Sequence, residues 1–294
     1  MNLAVSTNIL YERTEGSRIS MRESIRACAA AGYRYLDFGF PELKLSSPFF
    51  CSSEWKAEIE GYSRLAKELG LGFVQAHAVI VDFCNPPGGG EEDLELFRRS
   101  IQGAGMLGVP WIAAHPSTGV SGGKRTEDTH ERNIAFFREM ADYALSFGVG
   151  IAIENMWGKT SEGLSHYAIR AEELLRLIED IDRENVGACW DVEHGSVEKL
   201  DQGTAIRLLG RRLKATHVSD ETGPNNIHIL PYSGFVKWEE VLKALADIDY
   251  PGAFAFEIQH YLPAMPMELV PPAMKFSVQV GRHLLSRFEC LQKI

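Results

Sequence analysis

Short apolar runs alternate along the whole chain with longer stretches whose apolar residues recur every three or four positions. The short runs cover residues 3–9, 33–40, 72–80, 111–115, 149–155, 186–192, 213–220 and 253–259, and each has the length and composition of a strand. Between them the helix signals are local. Ser20 predicts the N-cap of a helix stopped by Gly32. Ser53 predicts one that runs to Leu69 with Gly70 behind it, and Thr126 one that runs to Phe147 with Gly148 behind it. Residues 91–107 read as a helix ended by Gly108, segments 171–179, 204–209 and 237–246 have helical spacing, and 274–290 reads as an amphipathic closing helix.

Eight strand–helix units follow one another with no linker-like break, which predicts one domain over residues 1–294. The fold class is α/β, a single (β/α)8 TIM barrel. A doubly wound sheet also alternates strands and helices, but it normally carries a Gly-rich phosphate turn after its first strand. Here that place holds Asn8-Ile9-Leu10-Tyr11.

A length of 294 residues with 45% hydrophobic and 24% charged positions suits one such barrel and excludes a disordered or fibrous chain. The formal charge of −10 makes nucleic acid an unfavoured partner, because grip on a phosphate backbone needs the opposite sign. No apolar run approaches the ~20 residues of a membrane span. The first eleven residues lack the basic and apolar regions of a signal peptide, and the five cysteines are scattered without a CxxC pair. Both features point to a reducing, cytoplasmic setting.

In a barrel of this kind chemistry sits where strands end and the following loops begin. In six successive runs the apolar stretch leads into His77, His115, Glu154, Asp191 (with His194 three residues on), His217 and Glu257. Carboxylates and imidazoles converging on one point would be costly to desolvate without a cation, so the ring implies a divalent metal. Oxygen and nitrogen ligands suit Mn²⁺, Co²⁺, Zn²⁺ or Fe²⁺, and no thiolate stands among the strand ends. Each residue also has a plainer reading: a strand-end histidine as a hydrogen-bonded structural group, Asp191 as the cap of the next turn. One ion accounts for all of them together. His228, in the long segment after residue 217, is a further candidate. The loop 119–126 fails as a phosphate loop because Arg125 stands where Ser or Thr is required, and it reads as a mobile active-site loop. The Pro- and Met-rich stretch 260–272 reads as a lid or as the contact of a homo-oligomer, with a stiff surface connection as the plainer reading.

The segments His115-Pro116, Ile153-Glu154-Asn155-Met156, Asp191-Val192-Glu193-His194, His217-Val218-Ser219-Asp220 and Phe256-Glu257 resemble those of the xylose isomerase-like barrel superfamily. So does the run His228, Pro231, Gly234, Trp238. The resemblance implies one divalent ion held by Glu154, Asp191, His217 and Glu257, with Glu154 and Glu257 also acting as the acid/base pair. It implies that His194 contacts a sugar, and His77, His115 and His228 are expected to position further hydroxyls. The reaction so implied is isomerisation or epimerisation of a keto-sugar or polyol by proton transfer through a metal-stabilised enediolate. The same intermediate losing a hydroxyl would make a dehydratase or lyase.

Two positions depart from the tagatose/psicose epimerases: Thr160 stands in place of a glutamate and Gly223 in place of an arginine. Endonuclease IV, in the same superfamily, holds three zincs. Its ligands map to His77, His115, Glu154, Asp191, His194, His217, His228 and Glu257, with Asn226 in place of the ninth, an aspartate. A barrel that only binds sugar is a third class, which would have no need of two glutamates.

Overall fold

The computed structural model describes residues 1–85 and 90–293. Eight parallel strands close into a barrel: β1 (Asn2–Ser6), β2 (Tyr35–Gly39), β3 (Gly72–His77), β4 (Trp111–Ala114), β7 (Gly150–Glu154), β8 (Val186–Asp191), β9 (Leu213–Val218) and β10 (Ala253–Phe256). The hairpin β5 (Val120–Ser121) and β6 (Lys124–Arg125) lies outside the barrel. The strand order β1-β10-β9-β8-β7-β4-β3-β2 is that of a (β/α)8 barrel, as the alternation of runs predicts.

Alternation along each strand separates two environments. Ile112, Ile151, Ile153 and Trp190 face the surrounding helices and join the large apolar core. The positions between them face the bore. There Ala113, Ala152, Cys189 and Ala215 pack as a separate layer, with Trp111 against it. Ala113, Ala152, Cys189 and Ala215 each stand two residues before a candidate site residue, so the bore is filled with small side chains just below the mouth.

Two irregularities set the register at that mouth. Between β2 and β3 the pairing slips after Leu36↔Phe73, so that Asp37 stands opposite Gln75 and Val74 is the extra residue. Between β8 and β9 it slips after Ala188↔Leu213, so that Lys214 is extra and Asp191 stands opposite His217. Such bulges re-aim side chains beside active sites.

Helices α4 (Glu91–Leu107), α6 (Ala171–Ile181) and α8 (Gln202–Leu209) begin and end close to the predicted places, and the others include instructive exceptions. Ser20 caps α1 (Met21–Ala31) in a full capping box with Glu23, and Gly32 closes it in the left-handed conformation. Ser53 and Thr126 are not caps: α3 (Trp55–Glu68) and α5 (Thr129–Leu145) start two or three residues later, after Glu54 and Asp128. Thr126 instead meets the Thr129 hydroxyl at 3.2 Å. The first apolar run leaves the sheet at Ser6 and continues as a buried 3-10 turn, Thr7–Leu10. Two short helices, α2 (Phe40–Ser46) and α7 (Val192–Val197), follow β2 and β8 where the spacing predicts no helix. The closing helix α10 (Val270–Leu291) starts earlier than its apolar spacing suggests. The loop 119–126 folds as the β5–β6 hairpin, its turn made by Gly122 and Gly123 at φ 58° and 70°. Stretch 260–272 is fastened to the first loop by Arg13, which donates to the Leu262 and Met265 carbonyls. Among the described residues no helix is long and apolar enough to cross a membrane.

The loop after β9 is organised on one carboxylate. Asp220, fully buried, accepts from the Glu221 and Val236 amides (both 3.0 Å) and from the Trp238 indole (3.1 Å), at the start of α9 (Trp238–Asp247). A Cβ on Gly234 would run into the Glu221 carbonyl. The spacing of His228, Gly234 and Trp238 is thus the spacing needed to close this loop. Trp238→Phe is expected to lower stability by about 1.5–3 kcal/mol, the scale of a hydrogen bond to a charged group, read by urea unfolding.

Candidate metal centre

Glu154 ends β7, Asp191 ends β8, His217 lies near the end of β9, and Glu257 follows β10 directly. One ligand atom from each of the four lies within 4.8 Å of the others. His217 Nδ1 is 2.9 Å from Glu154 Oε1 and 3.7 Å from Glu257 Oε2. Glu154, Asp191 and His217 are buried, and the Glu257 side chain is 12% exposed. Asp191 is both cap and site residue: Oδ1 accepts the His194 amide at 2.8 Å, opening α7, while Oδ2 is buried without a hydrogen-bond partner. Glu154 Oε2 likewise has no hydrogen-bond partner. Two unpartnered carboxylate oxygens buried beside an imidazole are what an oxygen- and nitrogen-ligated divalent cation requires, so these residues fit such an ion. Cys189 Sγ lies 3.8 Å from His217 Nδ1, so a thiol does stand close to the ring, one layer below the strand ends.

The other predicted residues gather round the same point. His77 and His115 each bring Nε2 to 3.4 Å from Glu154 Oε2 and to 3.2 Å from one another. Together with Glu154 they form a second group of converging ligand atoms. His194 is pinned through Nδ1 to the Asn155 carbonyl at 2.7 Å, and its Nε2 lies 3.8 Å from Asp191 Oδ2. His228, at φ 54°, places Nδ1 3.4 Å from Glu193 Oε2 and 3.8 Å from Glu257 Oε2.

Three polar residues in the bore and beside it escape the strand-end pattern. Asp37 Oδ2 lies 3.1 Å from His217 Nε2, and the Gln75 amide donates to the same oxygen at 2.7 Å. Glu193 is fully buried, accepts from the Ser219 hydroxyl at 2.9 Å and from the His228 amide, and so anchors the His228 loop. Each was visible as a charged or amide residue inside an otherwise apolar stretch.

The electrostatics are those of a site with too much negative charge. Burial would raise the Glu154 carboxyl, but the His217 charge and hydrogen bond, with the His115 and His77 imidazoles close by, hold it well below the carboxylate range. Burial and the charges of Glu154 and Glu257 push Asp191 well above that range, and burial raises Glu257. Burial opposes charge on His77 and His217. Glu154 outweighs it at both, raising His77 to about 9 and His217 well above its usual value. His115, His194 and His228 are lowered, chiefly by burial.

A cavity of about 490 Å³ reaches His115. Asp82, Asn85, Ser117, Thr118, Thr160 and His166 contribute to its wall, and Lys159 is the one Lys or Arg lining it among the described residues.

Comparison with known proteins fixes the family. The sequence pattern of the xylose isomerase-like TIM barrel matches residues 25–277, and the chain belongs to that family. It is 28% identical over 178 residues to the uncharacterized protein y4fM of Sinorhizobium fredii, covering 57% of this chain and 53% of that one. It is 30% identical over 128 residues to the D-psicose 3-epimerase of Agrobacterium fabrum, covering 44% and 41%. The matched part thus spans about half the length of these curated relatives. A D-tagatose 3-epimerase-like protein superposes with a TM-score of 0.76 at 18% identity, over 100% of this chain and 99% of that one, a likeness of fold.

The titrations have a definite sign. The stabilisation from His77 and His217 is complete below the unfolded imidazole value of about 6.5 and is lost as pH rises through their raised folded values. Glu193, pushed up to about 9 by burial and the Asp191 charge, adds to that fall, because from the unfolded carboxyl value of about 4.3 upward the fold holds a proton that the unfolded chain releases. The ion-free protein is therefore expected to melt at lower temperature from pH 6.5 to pH 9. Mn²⁺ is expected to flatten that fall, and melts in EDTA and in Mn²⁺ measure it.

Proposed function

We propose that the protein is a divalent-metal-dependent epimerase or isomerase of a keto-sugar or polyol, with Glu154 and Glu257 as its proton-transfer pair. The observation that carries this reading is the convergence of Glu154, Asp191, His217 and Glu257, with buried oxygens of Glu154 and Asp191 left unpartnered. These four residues would hold the ion, one of Mn²⁺, Co²⁺, Zn²⁺ or Fe²⁺. Such an ion supplies positive charge to adjacent carbonyl and hydroxyl oxygens, which acidifies the C–H beside the carbonyl.

The chain's own residues do the rest. Glu154 and Glu257 stand at the ends of strands separated by β8 and β9, so their carboxyls approach from different directions. One removes the proton and the other returns one. His77, His115, His194 and His228 surround the same space and present ring nitrogens to hydroxyls. The cavity beside His115 carries hydroxyls, an amide and carboxylates with a single lysine, which suits a neutral sugar better than a sugar phosphate. Thr160 in that wall, where the tagatose/psicose epimerases are expected to carry glutamate, supports a substrate hydroxyl pattern different from theirs. The similarity to D-psicose 3-epimerases supports the same class of reaction.

A second reading has its own observation. His77, His115 and Glu154 form a separate ligand group, which suits a second ion and a zinc phosphodiesterase related to endonuclease IV. Metal content after purification without chelator distinguishes the two: about one ion per chain is expected, and two or three would favour the hydrolase.

Solvent exchange tests the chemistry. With D-psicose, D-tagatose and D-fructose in D₂O, the Mn²⁺ enzyme is expected to incorporate deuterium beside the carbonyl. Glu154→Gln and Glu257→Gln should each slow this by about 10²–10⁴-fold. Exchange at the wild-type rate in either variant removes that residue from the mechanism, and turnover without exchange removes the proton-transfer route. Loss of water from the product would make the enzyme a dehydratase.

A further inference from the structure

We propose that Asp37 is the positioning residue of this centre: from the opposite wall of the barrel it fixes the His217 ring so that Nδ1 faces the ion. The proposal rests on the metal-dependent reading above. Strand β2 and strand β9 are not neighbours; β1 and β10 stand between them on one side of the barrel. The Asp37–His217 contact, 3.1 Å between residues 180 positions apart, therefore spans the bore.

A buried carboxylate needs a compensating donor or charge. Asp37 is 1% exposed, and its Oδ1 has no hydrogen-bond partner. Its Oδ2 is held by two groups, the Gln75 amide and His217 Nε2. Commitment of Nε2–H to Asp37 leaves Nδ1 as the nitrogen with a free lone pair once the ring is neutral. Nδ1 is the atom that lies among Glu154 and Glu257. Rotating the ring would break the contact with Asp37, so one interaction sets both tautomer and direction.

Gln75 completes the arrangement. Its amide also donates to the Thr216 carbonyl at 3.2 Å, tying the Asp37 carboxylate to the backbone immediately before His217. The slip that makes Val74 the extra residue is what brings Gln75 opposite Asp37.

The test uses full-length protein stripped of metal and titrated with Mn²⁺ by calorimetry. Asp37→Ala is expected to weaken binding by about 10–100-fold, the scale of losing an outer partner of a ligating histidine. Asp37→Asn, whose amide oxygen can still accept from Nε2–H, is expected to recover most of that affinity. In Zn²⁺-loaded protein with ¹⁵N-labelled histidine, the His217 Nε2–H should resist solvent exchange in the wild type and not in Asp37→Ala. Wild-type affinity in a folded Asp37→Ala overturns the proposal. If that variant does not fold, Gln75→Leu decides: it leaves the carboxylate untethered and should also lose affinity, and unchanged binding overturns the proposal. A wild-type protein that binds neither Mn²⁺ nor Zn²⁺ overturns the metal-dependent function itself, an outcome distinct from wild-type binding that Asp37→Ala leaves unchanged.

Discussion

Carboxylates crowd the mouth of the barrel, and their mutual repulsion is the condition that every neighbouring group answers. Asp37, Glu154, Asp191 and Glu193 are buried there, with Glu257 close by. Left alone, such a cluster would be neutralised by taking up protons or would open the fold. The chain meets part of the charge with imidazoles: Glu154 biases His77 and His217 toward the charged form, while burial biases His115, His194 and His228 toward the neutral one. Two buried oxygens, Glu154 Oε2 and Asp191 Oδ2, are left without a hydrogen-bond partner. A cation at that point would satisfy both oxygens at once, and the histidines stand around it.

The scaffold keeps these groups in place by economy of side chains. The bore beneath the mouth holds alanines and one cysteine, so nothing bulky pushes the strand ends apart. Polar reach comes instead from the mouth itself and from loops fastened to it. Asp220 closes the loop after β9, and Glu193 holds the His228 end of that loop against Ser219. Strand ends carry the candidate ligands and loops carry most of the residues around them, a division that lets one barrel architecture serve different substrates.

Much of this was legible in the sequence because two periodicities coincide. A buried parallel strand reads as an apolar run, and its last inward position reads as the polar residue that ends the run. Glu154, Asp191, His217 and Glu257 all stand out that way. Asp37 and Gln75 do not, because each lies within an apolar run and its partner is far away: the Asp37–His217 contact joins residues 180 positions apart. Glu193 hid between two stronger candidates. The helix starts at Ser53 and Thr126 were misread for a local reason, since a Ser or Thr before an amphipathic stretch can serve a turn as well as a cap. The end of β1 was misplaced because Thr7–Leu10 remains buried after leaving the sheet.

The bulge at Lys214 changes what kind of mutation this site can tolerate. Upstream of it Ala188 pairs with Leu213; beyond it Asp191 pairs with His217. The alignment of two ligands on adjacent strands therefore depends on the number of residues in β9 as well as on their identity. Removing Lys214 itself would leave Leu213 and Ala215 in plain alternation with His217 still opposite Asp191, whereas removing one residue between Ala215 and His217 would turn the imidazole from the bore toward the helices. For the lineage of this chain, a change at Lys214 is a minor event, and a deletion beyond it rebuilds the mouth of the barrel.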